Sequence, residues 1–305
     1  MKGTIRYYFI LLSILIFSSS RISLSSIINE LPDDKKNIFR PVINKLIIDG
    51  VDSNFIYQAL SSPEVQFNER FVRINVTNFV NNPDYSNNWS RKSIEQSLNF
   101  LNKNIEILKL AELEYAIPKE IITSILFIET KHGNFLGNNN VMSVYFSTAL
   151  CSEPVYIEKN IEFLKTKTDI ENSNELKNKI IERSERKSKW AYEQIKALYK
   201  MSKIAPFSVF DLKGSWAGAF GIPQFLPTSY LSWAVDGNKD SQINLFDNVD
   251  AIFSVANYLK SNGWGNSIEE QKKAIFHYNN SSAYVEAVLR LADSLKVNQY
   301  SNYNN

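Results

Sequence analysis

The stretch Ile117-Pro-Lys-Glu-Ile-Ile-Thr-Ser-Ile-Leu-Phe-Ile-Glu-Thr-Lys-His-Gly133 predicts an α-helix that runs from about Pro118 to His132. Pro118 suits the first helical turn, where a missing backbone N–H costs nothing, and Gly133 suits a left-handed residue just past the end. At ~100° per residue, one side of this helix collects apolar side chains, namely Ile121, Ile122, Ile125, Leu126 and Ile128. Helical spacing recurs in most of the longer segments, whereas strand-like alternation is scarce. The sequence therefore predicts a mainly α fold.

Glu129 falls inside the apolar arc of this helix, so its carboxyl is expected to face the core or a cleft. Burial and the negative end of the helix dipole both disfavour the charged form, and both should raise the pKa of Glu129. A general acid that works near neutral pH needs such a pKa. A buried Glu that is satisfied by an Arg, Lys or backbone partner would occupy the same position. The helix alone leaves both interpretations open.

The composition of the chain favours a globular protein of one large or two smaller domains. Its 305 residues, with 44% hydrophobic content, can build a substantial core. The formal net charge is only +2, so no general positive field exists to hold nucleic acid, and nucleic-acid binding is disfavoured. Cys151 is the only cysteine, which excludes an intramolecular disulfide and predicts a buried thiol.

The first 25 residues have the order of a secretory signal peptide. Lys2 and Arg6 precede an apolar run over 7–17, and small polar serines follow it. The run is short for a membrane span, and an uncleaved signal anchor is the alternative. No Cys stands near the expected cleavage site, so a lipoprotein is not expected. The sequence therefore predicts export, with a mature protein that is soluble outside the cytoplasm.

Two further helical regions flank the Glu129 segment. Residues 26–113 form a predicted N-terminal helical region, where apolar residues recur at spacings of three or four. Residues 151–203 are rich in Lys and Glu, with spaced apolar and aromatic residues, and predict long, charged, amphipathic helices. A basic surface that attracts an anionic polymer is the alternative, but acidic residues are interleaved throughout. We therefore favour a solvated helical face for this insert.

The stretch Asp211-Leu-Lys-Gly-Ser-Trp-Ala-Gly-Ala-Phe-Gly-Ile-Pro-Gln-Phe-Leu-Pro-Thr-Ser-Tyr230 carries three glycines and two prolines, which predict a rigid turn around Gln224. On its own this pattern favours a simple turn that joins two helices over a rigid wall of a cleft. The stretch also closely resembles the lytic murein transglycosylase B family, glycoside hydrolase family 103. Three other blocks resemble that family in the same order along the chain: 128–133, 243–259, and 278–281 through Ala292. The resemblance covers roughly 114–142 and 211–292, and hardly the charged insert.

The resemblance implies a lysozyme-like catalytic domain built from 114–150 and 204–297. It implies that Glu129 is the single catalytic acid and base in the cleavage of peptidoglycan glycan strands, with formation of 1,6-anhydro-N-acetylmuramic acid ends. Ser215, Gln224, Tyr278 and Asn279 would contact the substrate, and the Tyr278 hydroxyl would bond Glu129 or the sugar. A lysozyme-like muramidase that delivers water, and a non-catalytic wall-binding protein, are the competing interpretations. No cofactor is implied for catalysis.

A twelve-residue loop over 236–247 has the spacing of an EF-hand. Its oxygen donors would be Asp236, Asn238, Asp240, the backbone carbonyl of Gln242, and Asp247. Position six is Ser241 where Gly is usual, and position twelve is Asp where Glu is usual. Structural Ca²⁺ and a polar Asx-rich turn are therefore equally good interpretations. The only histidines, His132 and His277, lack the partners of a metal site or a catalytic triad.

One segment departs from the family pattern. The family typically has a twin-Arg segment after the position of Met142 that can meet peptide carboxylates, whereas here the stretch reads Ser147-Thr-Ala-Leu-Cys-Ser-Glu-Pro154. The preference for peptide-bearing or naked glycan is therefore open. Peptidoglycan glycan strands are the expected partner, with wall-synthesis enzymes as further candidates, and the sequence leaves the oligomeric state open.

Overall fold

The computed structural model describes residues 30–74, 84–166 and 174–303, and these residues are mostly helical. The helices are α1 Asp33–Ile48, α2 Ser53–Ser61, α3 Glu69–Val72, α4 Arg91–Lys103, α5 Ile105–Tyr115, α6 Lys119–Thr130, α7 Val141–Ala149, α8 Pro154–Lys165, α9 Asn174–Met201, α10 Pro227–Trp233, α11 Asn248–Ser261, α12 Ile268–Tyr278 and α13 Ser282–Tyr303. Two 3₁₀ turns cover Ser86–Trp89 and Leu150–Ser152. The predicted signal peptide, residues 1–25, lies outside the described residues.

Helix α6, which carries Glu129, lies at the centre of the packing. It contacts α4, α5, α11 and α13, and nine of its side chains are buried. The buried set includes polar groups such as Thr123 and Ser124, so α6 is enclosed on more sides than its apolar arc alone predicts. Because α4 and α5 belong to the predicted N-terminal region, that region forms part of the surroundings of the Glu129 helix.

Helix α6 ends two residues earlier than the sequence predicts. Lys131, His132 and Gly133 have φ values of 51°, 58° and 90°, so the left-handed turn begins at Lys131 and not at Gly133. Tertiary contacts hold this conformation, which is costly for residues other than glycine. The His132 ring stacks on Phe100, with centroids 4.0 Å apart. The Thr130 hydroxyl donates to the carbonyl of Ile222 at 2.8 Å and accepts the N–H of Gly133 at 2.9 Å.

The charged insert forms two long helices, as predicted, but it is more than a solvated face. Helix α9 packs against α7 and α10, and its C-terminal half buries apolar side chains such as Ile195 and Leu198. Cys151 is a free, buried thiol, which confirms the expectation for it. The predicted boundaries of the N-terminal region, the catalytic domain and the insert stay a prediction, because one connected hydrophobic core extends from Leu31 to Leu295.

The 211–226 turn is tied into the fold by a two-stranded antiparallel sheet. Strand β1, Asn139–Asn140, pairs with β2, Lys213–Gly214, so that Asn139 lies opposite Gly214. Gly218 has φ 78°, and a Cβ atom there would lie 2.5 Å from Cζ of the buried Tyr145. The turn therefore needs glycine at this position for both its backbone conformation and its close approach to α7.

Candidate active site

Glu129 lies in the last turn of α6 and is half-buried. The Tyr284 hydroxyl donates a hydrogen bond to Glu129 Oε1 at 2.6 Å. Desolvation raises the pKa of Glu129 from 4.5 to about 7, although the Tyr284 hydrogen bond acts in the opposite direction. Near neutral pH both protonation states of this carboxyl are thus populated, so the same group can donate a proton and later accept one.

The alternative of a buried ion pair finds no support in the described residues, where none of the ion pairs includes Glu129. The nearest lysine in sequence, Lys131, directs its ammonium group elsewhere. Its Nζ bonds the side-chain oxygen of Asn88 and lies 3.9 Å from the centroid of the Phe127 ring. Lys131 therefore does not lower the pKa of Glu129 and does not offset the effect of burial.

Three tyrosines surround the carboxyl. The Tyr278 and Tyr284 rings are stacked with centroids 6.4 Å apart, and Tyr85 meets Tyr284 edge-on at 5.9 Å. Burial, followed by the nearby charge of Glu129, holds the pKa of Tyr284 well above its ordinary value. Tyr284 therefore stays protonated and remains a hydrogen-bond donor at any pH at which Glu129 titrates.

Sequence reasoning missed Tyr284 and gave its contact to a neighbour. The Tyr278 hydroxyl does not bond Glu129 but donates to the carbonyl of Pro223 at 2.6 Å, which joins the end of α12 to the 211–226 turn. The signal that could have identified Tyr284 was its place within the 278–292 block, at the start of α13. A role of Tyr278 toward the sugar stays a prediction.

The other predicted substrate contacts brace the turn from within. The Ser215 hydroxyl accepts the N–H groups of Ala217 and Ala219 at 3.3 and 3.2 Å. Gln224 adopts a φ of 51°, and its Nε2 donates to the carbonyls of Leu136 and Gly221 at 3.2 and 3.0 Å.

Asn279 follows the last residue of α12 and is half-buried, and its N–H donates to the carbonyl of Ile275. The structure therefore gives Ser215 and Gln224 a clear part in shaping the turn. Their contacts with substrate, like that of Asn279, stay a prediction.

The 236–247 loop follows a path that a cation loop could use. Ser241 has φ 70°, the conformation that Gly normally supplies at position six of an EF-hand. The carboxylates of the 236–247 loop, however, accept hydrogen bonds from backbone N–H groups. Asp236 accepts those of Asp240 and Ser241 at 3.1 and 2.7 Å. Asp247 caps α11 by accepting the N–H of Val249 at 2.8 Å.

No group of three or more His, Cys, Asp or Glu within the described ranges is arranged to hold a metal ion. The backbone conformation of the 236–247 loop thus suits a cation-binding loop, whereas its side chains are not arranged as metal ligands.

The two histidines form no catalytic pair. His132 is stacked on an aromatic ring, and burial lowers its pKa to about 4, so it is neutral and structural.

The family model described as "Transglycosylase SLT domain" matches residues 36–271. The chain belongs to this family. Membrane-bound lytic murein transglycosylase B of Escherichia coli (strain K12) is 30% identical over 172 residues. That alignment covers 56% of this chain and 39% of the relative, so the chain spans well under half the length of the curated relative it matches.

Two solved structures show the same fold as this transglycosylase domain. The E. coli lytic transglycosylase Slt35 in complex with calcium has a TM-score of 0.66 at 21% identity, covering 86% of this chain and 94% of that chain. SltB3 of Pseudomonas aeruginosa in complex with NAG-anhNAM-pentapeptide has a TM-score of 0.64 at 20% identity, covering 86% and 79%. These likenesses confirm the predicted mainly α, lysozyme-like fold class.

Proposed function

We propose that the protein is a lytic transglycosylase that cleaves peptidoglycan between N-acetylmuramic acid and N-acetylglucosamine, with Glu129 as acid and then base. The observation that carries this proposal is the lone, desolvated Glu129 with Tyr284 as its hydrogen-bond donor. The two influences on the pKa of Glu129 are burial and the Tyr284 hydroxyl, and no acidic side chain among the described residues contributes to it. Membership of the transglycosylase family supports the same activity.

A single carboxyl suits this reaction better than hydrolysis. Most glycosidases place two carboxyl groups about 5 to 10 Å apart, one as acid and one as nucleophile or base. At that distance a second carboxylate would be expected to raise the pKa of Glu129 by charge repulsion, in addition to burial. A reaction in which one group serves both steps has no need of the second carboxylate.

The chemistry proceeds in two steps. Glu129 protonates the glycosidic oxygen, the bond from that oxygen to C1 of the muramyl sugar breaks, and the muramyl acetamido group stabilises the cation. The ionised Glu129 then removes the proton of the O6 hydroxyl as O6 bonds to C1, which closes the 1,6-anhydro ring and consumes no water. The Tyr284 hydroxyl stabilises the carboxylate between the two steps. A pKa of about 7 makes both proton transfers feasible at neutral pH.

The masses of the products test this proposal. Purified peptidoglycan is incubated with the protein, and the released muropeptides are weighed by mass spectrometry. Products that are lighter by one water than hydrolysis products, and that lack a reducing end, are expected. Products with full mass and a reducing end would assign the protein to the muramidases instead.

The variant Glu129→Gln separates the enzyme from a non-catalytic wall-binding protein. We expect this variant to fold and to release no soluble product, since amide nitrogen cannot deliver the proton. Glu185→Gln, which removes an exposed carboxyl of α9, is the matched control and should cleave like the unchanged protein. If the unchanged protein and both variants release equal amounts of soluble product, Glu129 is not the catalytic acid.

We further propose that the protein is exported and that the 236–247 loop binds structural Ca²⁺. The basic and apolar order of the first 25 residues supports export, and the E. coli relative is named as membrane-bound. In the described part of the chain, no helix has the length and apolar character that crossing a membrane requires. The positive φ of Ser241 supports the cation loop, and so does the calcium complex of Slt35. Wall-synthesis enzymes remain candidate partners.

A further inference from the structure

Thr130 directly follows Glu129, and its hydroxyl is hydrogen-bonded both as a donor and as an acceptor. The hydroxyl donates to the carbonyl of Ile222 at 2.8 Å and accepts the N–H of Gly133 at 2.9 Å. The backbone carbonyl of Thr130 also accepts the N–H of Phe135 at 2.9 Å. Because consecutive Cα atoms lie about 3.8 Å apart, these bonds fix the backbone from which the Glu129 side chain extends.

The carbonyl of Ile222 is a firmly placed acceptor, because the 211–226 turn is also held from the far side. The N–H of Ile222 donates to the carbonyl of Leu245, in the 236–247 loop, at 2.9 Å. Gly221 has φ 74°, and a Cβ atom there would lie 2.7 Å from Cβ of Leu245, so the turn and the loop are in close contact. Thr130 therefore joins the end of α6 to a part of the turn that cannot move without breaking other contacts.

Further contacts lead from Ile222 back to the Glu129 carboxyl. The next residue, Pro223, has a carbonyl that accepts the Tyr278 hydroxyl at 2.6 Å. The Tyr278 ring stacks on Tyr284, and the Tyr284 hydroxyl donates to Glu129 at 2.6 Å. These contacts form a closed network, the Glu129 network, whose members are Glu129, Thr130, Ile222, Pro223, Tyr278 and Tyr284. The acid and its hydrogen-bond donor are thus both tied to two adjacent residues of the turn.

A second threonine of α6 shows that these contacts are particular to Thr130. Thr123 lies about two turns earlier on the helix and is also buried. Its hydroxyl has no hydrogen-bond partner within the described ranges. The two side chains thus share their burial and their helix, and they differ in whether the hydroxyl connects α6 to the turn.

We propose that Thr130 is a positioning residue that holds the Glu129 carboxyl in its desolvated place, within reach of Tyr284. This inference rests on the proposed function, in which Glu129 is the acid and then the base. Loss of the Thr130 hydroxyl leaves the carbonyl of Ile222 and the N–H of Gly133 without partners in a buried site, which is costly. The end of α6 then shifts to let water satisfy them, and the carboxyl becomes more hydrated. A displacement of about 1 Å at a catalytic group can lower a rate by about 100-fold.

Three single variants separate positioning from packing. Thr130→Val replaces the hydroxyl by a methyl group and keeps the size of the side chain, whereas Thr130→Ser keeps the hydroxyl and loses the methyl group. Thr123→Val makes the Thr-to-Val change at a hydroxyl without partners and is the matched control. The pKa of Glu129 is measured in the full chain by ¹³C NMR of labelled glutamate carboxyls, where its signal is the one that Glu129→Gln removes. In parallel, kcat is measured with peptidoglycan.

We expect Thr130→Val to lower the pKa of Glu129, because burial is the main cause of its rise from 4.5 to about 7 and a more hydrated carboxyl ionises more readily. Weakening of the Tyr284 hydrogen bond acts in the opposite direction and reduces the shift. We expect kcat to fall by about 10- to 100-fold. Thr130→Ser and Thr123→Val should keep the pKa of Glu129 and the kcat of the unchanged protein.

Two results would overturn the proposal. The first is a pKa of Glu129 that is the same or higher in Thr130→Val, even when that variant is less stable, because Thr130 would then serve packing alone. The second is an equal shift in Thr130→Ser or Thr123→Val, because the hydroxyl and its partners would then not be the cause. The neighbouring tyrosines do not disturb the titration. Burial raises the pKa of Tyr85, Tyr278 and Tyr284, so all three stay protonated while Glu129 titrates.

A second variant keeps the proposal testable if Thr130→Val does not fold, which circular dichroism shows. Tyr278→Phe opens the Glu129 network at its bond to Pro223 and leaves α6 unchanged. It should also lower the pKa of Glu129, and in that case an unchanged pKa would overturn the proposal. Failure of the proposed function has a different signature, since the unchanged protein would release no anhydro products from peptidoglycan. The NMR comparison of the variants does not depend on that result.

Discussion

The variant Glu129→Gln should make the protein more stable at alkaline pH while it abolishes cleavage. Burial raises the pKa of Glu129 from 4.5 to about 7 in the folded protein. A group whose pKa is higher in the folded state favours folding most below its unfolded pKa, and this contribution disappears as the pH rises through the folded pKa. Above pH 7 the folded protein therefore carries an ionised carboxylate in an unfavourable site. Glutamine cannot ionise and is free of this penalty.

The size of the effect follows from the pKa. At about 1.4 kcal/mol per pKa unit, the rise from 4.5 to about 7 corresponds to about 3 kcal/mol. Part of this penalty is already present at pH 5, so the stability advantage of the variant should grow by about 2 to 3 kcal/mol between about pH 5 and about pH 8.5. Glutamine keeps an oxygen that can accept the Tyr284 hydrogen bond.

Urea unfolding followed by circular dichroism measures this difference. The free energy of unfolding is determined at each pH for the unchanged protein, for Glu129→Gln and for Glu185→Gln, which corrects for the loss of one carboxyl from the whole protein. The gain in the free energy of unfolding of Glu129→Gln could be the same at every pH, or it could shrink as the pH rises. Either result would refute the argument that burial raises the pKa of Glu129.

Three further predictions concern Tyr284, Gly218 and Asp247. Tyr284→Phe removes the hydrogen bond that lowers the pKa of Glu129, so the alkaline limb of the pH–rate profile should move to higher pH; an unchanged or lower limb would contradict this. Gly218→Ala should lower the free energy of unfolding by about 1 to 3 kcal/mol more than Gly50→Ala, because both glycines have similar positive φ but only Gly218 abuts a buried tyrosine; equal costs in urea unfolding would show that backbone conformation alone matters. Asp247→Ala should cost about 1 kcal/mol through loss of the α11 cap, and added Ca²⁺ should raise the melting temperature of the unchanged protein but not of this variant. A calcium response that survives the substitution would remove Asp247 from the proposed ligands.

The sequence predicts the Glu129 helix well because the signals for it are local. Pro118 directly precedes the helix and the spaced apolar residues lie within it, and together they place Glu129 among buried side chains. The predicted end of the helix is wrong by two residues because the contacts that terminate the helix are not local. His132 is held in the left-handed region by stacking on Phe100 of α4, and Thr130 bonds the carbonyl of Ile222.

The composition of the candidate site is harder to predict than its position. Tyr284 is one of 15 tyrosines, and apart from its place in the 278–292 block its local sequence does not distinguish it from residues that only pack. Its role depends on how α13 lies against α6, which periodicity does not specify. Interleaved acidic residues predict a solvated surface for the insert, whereas the packing of α9 against α7 and α10 buries Ile195 and Leu198.

The hydrogen bond between Glu129 and Tyr284 joins residues that are 155 positions apart. At typical rates of synthesis, the hydroxyl follows the carboxyl by roughly 10 to 30 s. Until α13 has been made and has docked on α6, the chain has its acid but not the donor that stabilises the carboxylate form. The site therefore depends on α13, so fragments that stop before α13 are expected to lack the cleavage proposed for Glu129.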